Sequence, residues 1–369
     1  MRFAAAQGID LGSETSSDGL WLAVDKATDA LARFDERLRT SPVREGLLAR
    51  LDFHEACAAV RNEGSLVHLE DLVLHDAGMD VRTPTAELVR AHSILRARRR
   101  LATAGPAIRT AREVLALASE RLVQDDGREG EGPALEGEVG GEAASSEDGL
   151  LAEIDAVLAR SAKSLREARA AAQQEARHPA VYDAEWDERG KVREWLTIVS
   201  HHDGKPAALA AALAWYAWNT SEPLQRSGFL GPMLVGAVLR ARGRAKAHLP
   251  ALHGGARLAT MATGRAGRER ASVENYVAAI EAAAVNEMKE LDRLALAAEI
   301  LKRRCVGRRG NSKLPALAQL FMESPIVTVP LAAKRLGVSQ QAATTMIDAL
   351  APSVREITGR ERYRAWSLV

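Results

Sequence analysis

The sequence predicts a mainly α-helical protein whose β structure is a short hairpin near the C-terminus, and three observations carry this expectation. Apolar residues recur at helical spacing along most of the 369 residues. Aromatics make up only 4% of the chain, and alanine-rich runs such as Ala207 to Ala214 suit helices packed through small side chains. No stretch before residue 350 alternates as a half-buried strand does. A chain of this length also exceeds one ordinary core, so two or three domains are expected.

In chain order, periodicity predicts helices over Leu20 to Leu38, Leu47 to Val60, Leu66 to Ala77, Thr85 to Leu101 and Ala107 to Leu122. Pro42, Gly64, Pro84 and Pro106 punctuate them. Residues 124–149 then hold nine acids, one arginine and seven glycines with almost nothing apolar, which predicts a disordered linker or long loop. Beyond it, Leu150 to Arg177, Asp183 to Val199, Pro206 to Trp218, Gly228 to Arg242 and Arg268 to Arg304 predict a second helical set. The expected division is a helical N-terminal region (1–123), an acidic linker (124–149), a helical core (150–304) and a C-terminal domain (305–369). The two helical regions are also compatible with one domain that the linker interrupts.

The net charge of +1 conceals an asymmetry: residues 301–369 carry twelve Lys and Arg against four acids, a net of +8, so the first 300 carry −7. The linker alone accounts for −8. A basic segment fits a nucleic-acid footprint, and also an anionic membrane or an acidic partner. The linker reads as a solvated spacer, or more sharply as an acidic competitor of DNA for the basic C-terminus.

From Pro330 the residues divide into distinct tasks. A short helix over Leu331 to Leu336 ends at Gly337, which can adopt the left-handed backbone of a tight inter-helix turn. Ala332 and Ala333 permit a close helix crossing. Val338 plugs the turn, and Ser339 caps a helix from Gln340 to Leu350. There Ala342, Ala343, Met346, Ile347 and Leu350 are expected to face inward, leaving Ser339, Gln340, Gln341, Thr344 and Thr345 as a polar, uncharged reading face. Glutamine pairs a donor and an acceptor with adenine, and threonine offers a hydroxyl and a methyl. Two segments, Val354 to Thr358 and Arg362 to Leu368, then flank a turn at Gly359, Arg360 and Glu361, which predicts a β-hairpin wing. Arg355, Arg360, Arg362 and Arg364 are placed for phosphate or minor-groove contact, with Ile357, Tyr363 and Trp366 as apolar anchors. Upstream, KRRCVGRRGNSK (302–313) reads as a phosphate-touching arm bearing Arg308 and Arg309, or as an interdomain hinge; it lacks P-loop spacing.

The stretches AAKRLGVS and ITGRERYRAW resemble the winged helix-turn-helix domains of bacterial regulators, most closely those that follow Fic-like domains. That resemblance implies a DNA-binding fold. Residues 215–252 are similar to the catalytic loop and helix of Fic proteins, where His-Pro-Phe precedes Gly-Asn-Gly-Arg. Here the base histidine falls at Ser221 or Glu222, Pro223 and Leu224 stand for Pro-Phe, and Arg226, Ser227 and Gly228 replace the anion-binding residues. Without the histidine to take a proton and the asparagine to help position metal and phosphate, nucleotidyl transfer is not expected. Glu63, ahead of Leu-Glu-Asp-Leu, resembles a regulatory residue of that family, and a structural role is expected for it here. RSGFLG, AHLPAL, KLPAL and ITGRERYRAW together resemble an uncharacterised bacterial family that joins a helical domain of unknown function to a C-terminal helix-turn-helix.

Other chemistry is thinly represented. Cys57 and Cys305 give neither a disulfide framework nor metal spacing. His201, His202 and Asp203 read as a helix end, His248 and His253 as too irregular for a ligand pair, and Trp215, Tyr216 and Trp218 as packing. No metal, cofactor or catalytic residue is expected. No segment resembles a signal peptide or a membrane span, so a cytoplasmic protein without membrane contact is expected. The expectation is a non-enzymatic transcriptional regulator that binds double-stranded DNA as a homodimer, its helical body serving dimerisation, partner contact or ligand sensing. The rival readings are a Fic-like nucleotidyl-transferase with a divergent loop, and a protein-binding scaffold whose helix-turn-helix touches no DNA.

Overall fold

The computed structural model describes residues 14–80, 83–105, 110–119, 183, 185–263, 273–307, 312–358 and 364–368. Those on either side of the stretch 122–188 form one compact unit. The expected acidic linker and the helix expected over 150–177 lie outside the described residues.

The fold is mainly helical, as the periodicity predicts. The first set comprises α1 (Glu14–Thr40), α2 (Arg44–Asn62), α3 (Leu69–Asp76), α4 (Ala86–Thr103) and α5 (Ala111–Ser119). The second comprises α6 (Glu188–His201), α7 (Ala207–Ser221), α8 (Leu230–Ala241), α9 (Leu252–Thr263) and α10 (Val273–Cys305). At 33 residues, about 50 Å, α10 is the spine, packing against α9, α1 and α7. Every residue of α7 from Ala207 to Trp215 is buried, which is why its sequence shows no polar face. Trp195 and Trp218 meet edge to face at 5.2 Å beside it, and Trp215 packs on Tyr276 at 5.1 Å, so these aromatics serve packing.

Periodicity predicts no helix at α9, because LHGGARLATMAT opens with two adjacent glycines, each costing about 1 kcal/mol of helical propensity against alanine. Tertiary packing explains the glycines. A Cβ at Gly255 would lie 2.2 Å from the Ala279 carbonyl oxygen of α10, so only glycine lets the two helices approach this closely.

The N-terminus of α9 and the segment leading into it are fixed by buried charge. Asp35 of α1 accepts from the Ala247 amide at 2.7 Å and faces Nδ1 of His248 at 3.2 Å. Glu287 of α10 accepts from the Ala251 amide at 2.7 Å and stands 3.4 Å from Nε2 of His248. Glu55 of α2 accepts from the amides of His253 and Gly254 at 2.8 and 3.0 Å, and contacts the His253 imidazole at 2.8 Å. Arg98 of α4, itself buried, donates to the carbonyls of Leu249 and Pro250 at 2.7 and 3.3 Å. Negative charge at a helix N-terminus complements its dipole, and these carboxylates satisfy amides that have no helical partner. His248 and His253, which share no ligand spacing in sequence, thus each pair with carboxylates from distant helices.

Burial alone would lower the pKa of His248, but its contacts with Asp35 and Glu287 outweigh burial and raise it above 6.5. Burial would raise that of Asp35, yet the bonds from His248 and Ala247 hold it below 3.8. A raised imidazole stabilises the fold fully below its unfolded pKa and ceases to do so as pH climbs through the folded one. A lowered carboxyl contributes above its unfolded pKa and stops contributing as pH falls through the folded value. The contribution of this pair to the melting temperature is therefore expected to be largest between about pH 4 and 6.5 and to fall on the alkaline side. His248→Gln should flatten that alkaline decline; an unchanged pH profile in the variant would count against the assignment.

The third part is α11 (Leu314–Glu323), β1 (Val327–Thr328), α12 (Val329–Leu336), α13 (Gln340–Ala349), β2 (Val354–Glu356) and β3 (Ala365–Leu368). The strands form an antiparallel sheet ordered β1-β3-β2, pairing Val327 with Trp366 and Val354 with Leu368. β1 lies before residue 350, where the sequence shows no alternating run. Two residues carry no alternation to read, and β1 exists through its pairing with β3. This part shares its core with the helical body: Phe34, Leu38, Leu47, Leu51, Leu294 and Leu301 pack in one cluster with Leu317, Phe321, Ile347, Leu350 and Trp366.

Candidate nucleic-acid interface

Local sequence explains how α12 and α13 are posed. Thr328 caps α12 through the Leu331 amide at 3.3 Å, and Pro330 occupies its first turn, where the missing donor is harmless. Gly337 ends α12 at φ 64°, ψ 44°, the left-handed conformation expected of it. Ser339 then caps α13 through the Ala342 amide at 3.2 Å. Its hydroxyl is thereby engaged in starting the helix.

Around α13, Ala343, Ile347 and Leu350 are buried while Gln340, Gln341, Ala342, Thr345 and Asp348 are exposed. One expectation is corrected: Ala342 is not part of the inward stripe, whereas Met346, half-buried, packs against the core as expected. At 100° per residue the outward direction runs along Gln341, Thr345 and Asp348, with Gln340 and the half-buried Thr344 on its flank. Asp348 also corrects the expectation of an uncharged face. Its spacing, seven residues beyond Gln341, is two helical turns and places it on the same line.

The hydroxyls of Thr344 and Thr345 donate to the carbonyls of Gln340 and Gln341, both at 3.0 Å. With that donor engaged, each threonine offers outward its methyl and its remaining lone pairs. Among the described residues, neither glutamine amide has a hydrogen-bond partner, so both donor and acceptor remain open.

On the hairpin, Arg355 is exposed opposite Ser367 and, among the described residues, makes no hydrogen bond or ion pair. Arg364 is differently placed. Its Nε donates to Glu356 at 2.7 Å, its Nη2 to the same carboxylate, and its guanidinium lies 5.0 Å from the Trp366 ring centroid. The bond to Glu356 holds its pKa above the usual arginine value, with Asp348 contributing. Trp366 is buried as expected, whereas Ile357, expected as an anchor, is 51% exposed. Arg308, Arg309, Arg360, Arg362 and Tyr363 lie outside the described residues.

The module is tied to the body by polar contacts as well as by the common core. Buried Arg50 of α2 donates to the carbonyls of Phe321 and Ser324 at 3.1 and 2.8 Å, which end α11. Burial lowers its pKa to about 10, so it stays charged at neutral pH. Lys334 of α12 donates to the Ala77 carbonyl at 2.9 Å.

Ser221 is the last residue of α7, and the loop to α8 holds Glu222, Pro223, Leu224, Arg226, Ser227 and Gly228. Glu222 adopts φ 43°, ψ 59° and ends α7. The amides of Leu230 and Gly231 donate to Ser227 and Gly228 at 2.9 and 3.1 Å, so the start of α8 turns its donors onto its own loop. Glu63 pairs with Arg90 through both of its carboxylate oxygens. Asp203 pairs with Arg242 at 2.9 Å. Among the described residues no three His, Cys, Asp or Glu side chains converge as a metal site requires, and no helix is long and apolar enough to cross a membrane.

Residues 180–306 match the family described as "Protein of unknown function (DUF1612)". Residues 314–369 match "HTH DNA binding domain", which begins where α11 begins. The chain is 38% identical to a protein of Sinorhizobium fredii named "Uncharacterized protein y4cF", across 97% of this chain and 99% of that one. The chain therefore belongs to the family of that protein, and it carries a DUF1612 region followed by a C-terminal helix-turn-helix DNA-binding domain.

Proposed function

We propose that the protein is a cytoplasmic, non-enzymatic transcriptional regulator that reads double-stranded DNA through α13 while its wing holds phosphates, and that it acts as a homodimer. The observation that carries this reading is the pose of α13: one side is locked in a core shared with the body, and the other presents unpartnered glutamine amides and threonine methyls. Gln341 and Thr345 are assigned direct base contact, and Gln340 and Thr344 edge contact. Ser339 contributes through the cap that sets the helix direction. Arg355 is the open phosphate contact among the described residues, with Arg308, Arg309, Arg360 and Arg362 assigned the same role; Arg364 contributes by bracing the hairpin against Glu356 before any phosphate is met. Pairing two modules multiplies an otherwise small footprint, which supports the dimer. The body is assigned dimerisation, partner contact or ligand sensing.

Selection of bound genomic fragments by the full chain tests this. A defined, symmetric operator is expected. Arg355→Ala should weaken binding to cognate and random DNA alike and reduce the salt slope by about one unit. Gln341→Ala should instead relax preference at one base position. Equal effects of the two substitutions on cognate and random DNA would overturn the division of roles.

The likeness of the body to Fic cores belongs to the same proposal, as a likeness of helical scaffold. Its support is the α7–loop–α8 arrangement, whose loop carries no histidine. No magnesium-dependent labelling from labelled ATP is expected; labelling lost on Glu222→Ala or Arg226→Ala would establish the transferase reading instead.

A further inference from the structure

We propose that Asp348 is a specificity-determining residue of the reading face and selects a C·G base pair by accepting a hydrogen bond from the cytosine N4 amino group. The inference rests on the assignment of α13 as the reading helix. It uses a residue that this assignment leaves idle.

Asp348 is exposed on the same line of α13 as Gln341 and Thr345, at seven and three residues' distance. The rise per residue places it about 10 Å along the helix from Gln341, so the three side chains span on the order of three base-pair steps. Among the described residues its carboxylate makes no hydrogen bond, whereas its backbone carbonyl closes the helix end by accepting from Ala351 at 3.1 Å. The backbone is thus fixed and the side chain is open. The carboxylate makes no hydrogen bond to the hairpin either, and its interaction with the hairpin is a through-space attraction to Arg364. The nearby guanidinium of Arg364 donates to Glu356 through both Nε and Nη2 and stacks on Trp366.

A bare carboxylate at this place is a stringent filter. It only accepts hydrogen bonds, and it stands among phosphates that repel it, so it is tolerated only where the groove offers a donor. Guanine presents N7 and O6, both acceptors, and thymine presents O4 and a methyl. Adenine presents its amino group beside the N7 acceptor, which opposes the second carboxylate oxygen. Cytosine presents the amino group with no acceptor beside it on the same base. Glu356 adds a second acid close by, partly neutralised by Arg364. This end of the interface therefore disfavours DNA that provides no compensating donor, and it separates sites by repulsion as well as by attraction.

The test is site selection from random duplexes with the full chain, beside Asp348→Asn and Asp348→Ala. The wild type is expected to require cytosine at one position per half-site, at the edge of the stretch governed by Gln341. Asp348→Asn should switch that position to adenine, which the amide can contact at N6 and N7, and Asp348→Ala should leave it open. Both variants should bind random DNA more tightly than the wild type, since a negative charge has been removed. Identical preferences in all three proteins would overturn the assignment to Asp348 while leaving α13 as the reader. Enrichment of no sequence by the wild type would overturn the DNA-reading proposal itself. Operators permuted base by base against the wild-type protein give the cytosine requirement without any variant, and tolerance of all four bases at every position near that edge would sink the inference.

Discussion

Gly255→Ala is expected to destabilise the protein by about 3 kcal/mol, near the upper end of what overpacking a core costs. The added methyl would sit 2.2 Å from the Ala279 carbonyl oxygen, 2.7 Å from the Ala283 Cβ and 3.0 Å from the Ala283 amide nitrogen. Two of these are backbone atoms of α10, so no side-chain rotation relieves the clash. Restoring ordinary contact at 3.4 Å requires α9 and α10 to part by about 1 Å, and close-packed interiors do not absorb such a shift locally. Separation would also pull the start of α9 from the Glu55 carboxylate. The adjacent residue supplies the control: a Cβ at Gly254 comes no nearer than 3.7 Å to Glu55. Gly254→Ala should be neutral or stabilising by up to about 1 kcal/mol, through helical propensity alone. Denaturant titration of the two variants decides the matter, and similar midpoints would show that the helix contact is not the limiting one.

The second large effect is expected at Arg50, whose guanidinium joins α2 to the end of α11. Arg50→Met keeps much of the side-chain bulk and removes the donors to Phe321 and Ser324, leaving two buried carbonyls short of a partner. Each such loss costs about 1–3 kcal/mol, so a total of about 3 kcal/mol is expected. The consequence should be concentrated in one place. Amide exchange should quicken in α11 to α13 more than in α7 or α8, and DNA affinity should fall even though no residue of the reading face has changed. A uniform rise in exchange across the chain, or affinity equal to that of the wild type, would contradict the role given to this contact.

Much of the architecture was legible in the sequence because its helices are amphipathic with recognisable punctuation, and the turn of the DNA-binding module advertises itself through Gly337 and Ser339. The features that the sequence does not show depend on partners distant in it. α9 needs α10 against Gly255 and the Glu55 carboxylate at its first turn. β1 needs β3. The outer face of α13 is legible in kind, glutamine and threonine, but not in orientation, since whether Ala342 faces inward depends on how α13 is rotated against the core. The same rotation decides whether Asp348 joins that face. The pairing of Arg364 with Glu356 depends on strand register, which fixes whether two residues eight apart come together. The body offered no motif because its charged residues are spread over α1, α2, α4 and α10 and converge only when those helices pack.

The common core of body and reading module also sets an order of events during synthesis. Phe34, Leu38, Leu47 and Leu51 are made early, yet their apolar partners in α11, α13 and β3 come last. Arg50 and Ser324 lie 274 residues apart. At about 5–20 residues per second the ribosome needs roughly 15–55 s to bring the second within reach of the first. Through that interval the part of the early helices' surface that α11, α13 and β3 cover stays open. DNA binding by the helix-turn-helix domain therefore waits on these elements, and a product terminated before them lacks it.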